Sequence, residues 1–157
     1  MSVDVDRSMM IQENRQISIQ LEQLANRAMA RRGLTAPQAH MLLYILAHSE
    51  AGTSLTDIHQ KFGYSMAALS GMVKRLREKG YVRVEPCAQD DRKKILFGTG
   101  KGEALQEALD HLMCRSQDWL YSGFSQEDLA TLDRLQKKML RNLSALIQQD
   151  NKEVTQT

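Results

Sequence analysis

Apolar positions along this chain recur first at helical spacing, then briefly at strand spacing, then at helical spacing again. From about Met9 to Arg32 the sequence is polar with a thin seam at Met10, Ile17, Leu21, Leu24 and Ala28, whose steps of three, four and seven keep one face of a helix. So narrow a seam suits a helix that packs on a second chain better than one sunk in a core. Residues 1–8 read as a loose arm, and Gly33 stops the helix. Thr35 opens a second helix, with Gln38 completing a capping box and Pro37 tolerated in the first turn. There Ala39, Leu42, Leu43 and Leu46 point to a core, and Ala51-Gly52 closes the element.

The stretch from Ser54 to Gly102 changes rhythm twice. Ser54 is a helix N-cap with Asp57 three residues on, and Leu55, Ile58 and Phe62 give the short helix one apolar face. Gly63 supplies a left-handed stop, and Tyr64-Ser65 leaves room only for a tight turn before Ser65 caps the next helix. In that helix Leu69, Met72, Val73 and Leu76 form the buried stripe. Ser65, Met66, Ala67, Ala68, Ser70, Gly71, Lys74, Arg75 and Arg77 remain on or beside the outer side, and Gly80 ends the helix. Small side chains at the start and long cations beyond are what a helix needs to enter a major groove and reach the phosphates on its walls.

Two runs of β-formers follow, Tyr81 to Glu85 and Lys94 to Phe97, with Val82 and Val84 alternating against Arg83 and Glu85. The segment between them, Pro86 to Lys93, reads as too long and polar for a two-residue hairpin turn, and its tip carries Asp90, Asp91, Arg92, Lys93 and Lys94. A basic β-ribbon beside such a helix is placed to reach a flanking minor groove. Helix, turn, helix and ribbon together describe a helix-turn-helix with a wing.

Beyond it Thr99 is an N-cap for a helix to about Ser122, with a seam at Leu105, Leu109, Leu112, Ser116 and Trp119. Gly123 breaks it, and Ser125 with Asp128 caps a last helix whose apolar face is Leu129, Leu132, Leu135, Met139, Leu143 and Leu146. Gln149 to Thr157 is polar and expected to fray. The fold class is therefore mainly α with a small β-wing, in one chain of 157 residues. A winged-helix lobe spans 35–98, and dimerisation helices span 9–32 and 100–148. The outer helices carry more apolar seam than so small a lobe can cover, and a two-fold homodimer is the natural outlet. It would set two recognition helices roughly 34 Å apart, matching successive major grooves of a palindromic site.

Net charge alone, +2, says little, but its distribution does. Ser65 to Gly102 holds nine cations and four anions, which leaves the rest of the chain at −3. A basic block in a slightly acidic protein is the electrostatic footprint of a nucleic-acid face. The acidic start lacks the basic region of a secretion signal, and the longest fully apolar run, Met41 to Ala47, is too short to span a bilayer. No membrane association and a cytoplasmic location are expected. Cys87 and Cys114 form no CxxC and read as free thiols. His111 and Cys114 share a helix face but lack a third ligand, so neither a metal site nor a cofactor is expected. Gly98-Thr-Gly-Lys-Gly lacks the spacing of a phosphate loop, and nothing in the chain assembles an enzyme's acid, base or nucleophile.

The run Ser65 to Val84, the wing pattern D-x-R-x-K at Asp90, Arg92 and Lys94, and the close Thr99-Gly-Lys-Gly resemble the MarR family of bacterial regulators. That resemblance implies a dimeric winged-helix protein that binds double-stranded DNA, more often as a repressor, and answers to small molecules. It makes Arg92 the minor-groove residue, braced by an Asp of the wing, and sets Ser65 to Lys74 against base edges. Lys74, Arg75, Arg77, Arg83 and Lys93 would then meet phosphates. It also implies an effector crevice where helices one, two and five converge, with His40, Tyr44, His48, Met113, Trp119 and Tyr121 as candidate lining for an aromatic or apolar acid. The alternative from a different class is a winged-helix module that holds protein instead of DNA; on such a surface the basic helix and wing would be idle.

Overall fold

A computed structural model describes residues 4–155. Asp6 caps the first helix, α1 (Arg7–Ala30), by accepting from the backbone N–H groups of Ser8 and Met9 at 2.9 and 3.1 Å. Helix α1 thus starts inside the stretch read as a loose arm, whose residues 1–3 lie outside the described residues. Helix α2 (Ala36–Ala47) begins with the expected capping box: Thr35 Oγ1 accepts from Gln38 N at 3.3 Å, and Gln38 Oε1 accepts from Thr35 N at 3.1 Å. Asn26 Oδ1 accepts from Ala36 N at 2.7 Å and so ties α1 to this start. The helix closes earlier than Ala51-Gly52, at the cap residue His48.

A strand that periodicity could not announce follows, β1 (Thr53–Ser54), and then α3 (Leu55–Phe62) and α4 (Met66–Glu78). The wing is β2 (Val82–Cys87) and β3 (Asp90–Gly98), and the three strands form an antiparallel sheet in the order β1-β3-β2. Thr53 pairs with Leu96 and Ser54 with Ile95, so β1 closes the sheet against the ribbon. Gly98 N donates to Ser49 Oγ at 2.9 Å beside it. The connection at Gly52 needs its left-handed backbone, φ 81°, and the absent side chain lets Ile95 and Phe97 lie against it.

The wing differs from the expected long loop. Pairing runs on to Cys87 opposite Asp90, and Ala88 and Gln89 make the turn. The register shifts between Pro86, paired with Lys94, and Cys87, so Asp91, Arg92 and Lys93 have no partners across from them. Proline has no N–H to give the ladder, and the irregularity falls where it sits.

The core is built around α2. Met41, Leu42, Ile45, Ile58, Leu69, Leu76, Leu96 and Leu109 are almost completely inaccessible, with Met29, Val73 and Val82 beside them. Helix α2 is buried nearly all round, since Ala36, Gln38, Met41 and Ile45 join the predicted Ala39, Leu42 and Leu46. Leu109 brings in α5 (Gly100–Leu120), whose first turn is docked on the end of α4. There Thr99 Oγ1 donates to Gly80 O at 2.6 Å and accepts from Gly102 N at 3.2 Å, while Lys101 Nζ donates to Lys79 O at 2.8 Å.

Contacts divide the chain into two compact units, the first ending at Ser116 and the second beginning at Gln117. In the second unit Ser125 and Asp128 cap α6 (Gln126–Thr155) reciprocally, at 2.9 and 3.1 Å. Helix α6 continues through the segment expected to fray as far as Thr155; Gln156 and Thr157 lie outside the described residues.

Candidate nucleic-acid interface

Helix α3 is short, so its two ends decide its placement. Ser54 Oγ accepts from Asp57 N at 3.2 Å while the Asp57 carboxylate accepts from Ser54 N and Oγ at 3.1 and 2.8 Å. These bonds from Ser54 hold the Asp57 carboxyl below its ordinary pKa, and the charge of Lys93 on the wing adds to the effect. At the other end Gly63 takes φ 72°. His59 Nδ1 lies 2.5 Å from Tyr64 O, so that nitrogen carries the proton and donates. Ser65 Oγ then accepts from Ala68 N at 3.2 Å and starts α4.

Helix α4 buries Leu69, Val73 and Leu76 and half-buries Met72, the predicted stripe. Its candidate contact residues Ser65, Met66, Ala67, Ala68, Ser70, Lys74, Arg75 and Arg77 are all exposed. The wing candidates Arg83, Asp90, Arg92, Lys93 and Lys94 are exposed as well. Asp90 Oδ1 accepts from the backbone N–H of Arg92 at 3.0 Å, so the brace acts on the main chain under Arg92. Arg83 is engaged on the outer face of the sheet: it pairs with Glu85, and its guanidinium stands 4.3 Å from the centre of the Phe97 ring directly across the ladder. Alternation already set Glu85 on the same face as Arg83, but Phe97 was not visible from spacing alone, because the register brings it there.

The candidate effector residues fall in both units. The Tyr44 and His48 rings lie tilted with centres 4.1 Å apart, and Phe62 meets Tyr44 edge-on at 5.5 Å and stacks on Tyr64 at 6.4 Å. Phe62 was expected only on the apolar face of α3 and Tyr64 only in the turn after it, and neither as effector lining; their ring contacts bring them into a row with Tyr44 of α2. Burial, and secondarily the charge of Glu22, raises the Tyr64 hydroxyl above its usual range. Half-burial lowers His40. Met113 packs against the core with Tyr44, whereas Trp119 and Tyr121 lie in the second unit, Trp119 being 77% exposed. Among the described residues no three His, Cys, Asp or Glu side chains gather as metal ligands, and no helix is long and apolar enough to cross a membrane.

Comparison with known proteins agrees with this architecture. The MarR family model matches residues 32–93, the stretch from the end of α1 to the wing. The structure of S. aureus MepR bound to DNA superimposes with a TM-score of 0.79 at 26% identity, covering 88% of this chain and 99% of that one. A MarR protein from Peptoclostridium difficile gives 0.81 at 20% identity over 91% and 92% of the two chains. A MarR family regulator from Listeria monocytogenes, complexed with a 26mer DNA, gives 0.80 at 19% over 86% and 89%. The last two likenesses are of fold alone. Residues 32–93 thus match the MarR family, and along most of its length the chain has the winged-helix fold of the MarR-family regulator MepR.

Proposed function

We propose that this protein is a cytoplasmic, homodimeric repressor that binds pseudo-palindromic duplex DNA and is released by a small aromatic or apolar ligand. Helix α4 enters the major groove and Arg92 on the wing reaches the flanking minor groove. The observation that carries this reading is the exposed, predominantly basic surface that α4 and the wing present from one lobe, with Lys74, Arg75, Arg77, Arg92, Lys93 and Lys94 all exposed. Cations so displayed neutralise phosphates and release counterions, which gives affinity and a steep salt dependence. Side chains at base edges and in the narrow groove give selectivity.

Exposed apolar residues support the homodimer. On α1 Met10, Ile17 and Leu24 are 46%, 50% and 49% exposed, and on α6 Leu140, Leu143, Leu146 and Ile147 are 55% exposed or more. An apolar display on that scale marks an association surface. The effector proposal rests on the partly buried aromatic row at Tyr44; equal DNA affinity with and without every ligand that binds the protein would remove it.

The test is selection of duplexes from a random pool by the purified protein, followed by titration of the winner at several salt concentrations. An enriched inverted repeat with half-sites about one turn apart and a steep salt slope is expected. Arg92→Ala should then weaken operator binding by about 1–3 kcal/mol with the fold intact. Failure to enrich any sequence, with no binding at low salt, would favour a protein-holding module instead.

A further inference from the structure

The front of α4 carries an unusual set of side chains for base recognition. Opposite the buried Leu69, Val73 and Leu76 lie Ala67, Gly71 and Lys74, with Ser70 and Ala68 at the sides, and Met66 stands in the first turn at the edge of the buried stripe, three residues before Leu69. From Met66 to Val73 there is no arginine, lysine, asparagine, glutamine, aspartate or glutamate. Two-pronged hydrogen bonding to a guanine or adenine edge needs one of the first four, and acceptance from a cytosine amine needs one of the acids. Ser65 is turned to its cap bond with Ala68 N. What the first two turns offer a base is therefore mainly methyl and thioether surface.

Two further observations give that surface a purpose outside the chain. Met66 is the first residue of α4, is 44% exposed and lies outside the core cluster, so much of its side chain is open to an approaching partner. Gly71 stands in the helix interior, where glycine costs about 1 kcal/mol relative to alanine, and a Cβ there would meet nothing within 4 Å. No neighbour in this chain requires the small residue; a close approach by something else would.

We infer that Met66, with Ala67 and Ala68 beside it, reads the C5-methyl groups of thymines in the major groove, so that operator choice rests on methyl contact more than on paired hydrogen bonds. This rests on the DNA-binding reading above. Lys74, Arg75 and Arg77 set the helix on the phosphates, and Met66 decides which bases it accepts.

Uracil tests this directly, because it deletes the methyl and leaves the groove's donors and acceptors unchanged. The duplex from the selection is remade with each half-site thymine replaced singly by uracil, and affinity is read by fluorescence anisotropy at one salt concentration. At one or two positions per half-site uracil should weaken binding by about fourfold, the worth of one buried methyl. Met66→Ala should lose that discrimination at the same positions, and Met66→Leu should keep most of it. Lys74→Ala should weaken thymine and uracil duplexes alike. Circular dichroism confirms that each variant is folded. Tight binding with no difference between thymine and uracil at any position, or full discrimination retained by Met66→Ala, overturns the inference alone. Absence of binding to every duplex at low salt overturns it together with the DNA-binding reading.

Discussion

Gly52 and Gly63 separate two costs that usually arrive together. Both hold a left-handed backbone, φ 81° and 72°. At Gly63 an added Cβ meets nothing within 4 Å, whereas at Gly52 it would press on Ile95 Cγ2 and lie 2.8 Å from Phe97 Cζ. Gly63→Ala should therefore cost the left-handed strain alone, about 1–2 kcal/mol. Gly52→Ala should cost the same strain plus overpacking of about 1–3 kcal/mol, because Ile95 and Phe97 are held by the sheet and cannot both withdraw. For a chain of this size each kcal/mol moves Tm by about 2–4 °C, so the two melts should separate by about 2–12 °C, with Gly52→Ala the lower. Far-UV circular dichroism at one fixed protein concentration measures this, since association shifts apparent stability. Coincident melting curves would refute the reasoning and mean that β3 does not lie over Gly52 as described.

Two other outcomes follow from named contacts. The Arg83–Glu85 pair is half-exposed and worth about 0–1 kcal/mol in itself, but the carboxylate offsets the cation for any approaching phosphate. Glu85→Gln should steepen the salt dependence of DNA binding by about one counterion and tighten it at low salt; an unchanged slope in a filter-binding or anisotropy series would argue against Arg83 lying near a phosphate. His40 is pushed below its ordinary pKa by burial, so between its folded and unfolded values the unfolded chain binds more protons. Its contribution to stability is present above the ordinary histidine range and is lost as pH falls through the lowered folded value. Urea midpoints taken at several pH values across that range should fall on acidification, and less so in His40→Gln; parallel profiles would show that His40 is not the group responsible.

What could be read from the sequence was what is written locally. The caps at Thr35, Ser54, Ser65, Thr99 and Ser125 need only residues within three positions, and each forms where the spacing put it. The stripe of α4 was legible for the same reason. Strand β1 was not, because two residues carry no period and Ser54 already served as a cap. Nor was the burial of Met41 and Ile45, since one helix's pattern cannot say that neighbours surround it on every side. At the candidate interface the exposed residues of α4 were foreseeable. An Asp brace for Arg92 was expected as well, though not that Asp90 would hold its main chain, and the seat of Arg83 on Phe97 was not, because it depends on where Pro86 shifts the ladder.

That unannounced strand has a consequence for how the lobe assembles. Capped helices can begin within their own few residues, but Thr53 must find Leu96, and the bond from Gly98 to Ser49 spans 49 positions. Closing a flexible loop of that length costs about 3 kcal/mol in chain entropy before any contact repays it. The greatest closure cost in the sheet thus falls on its shortest strand. Topologically β1 is a clasp: the elements between Ser54 and Leu96 form the loop it shuts, and α4 lies inside that loop. Partial unfolding that opens the clasp releases the helix and the wing from the same anchor.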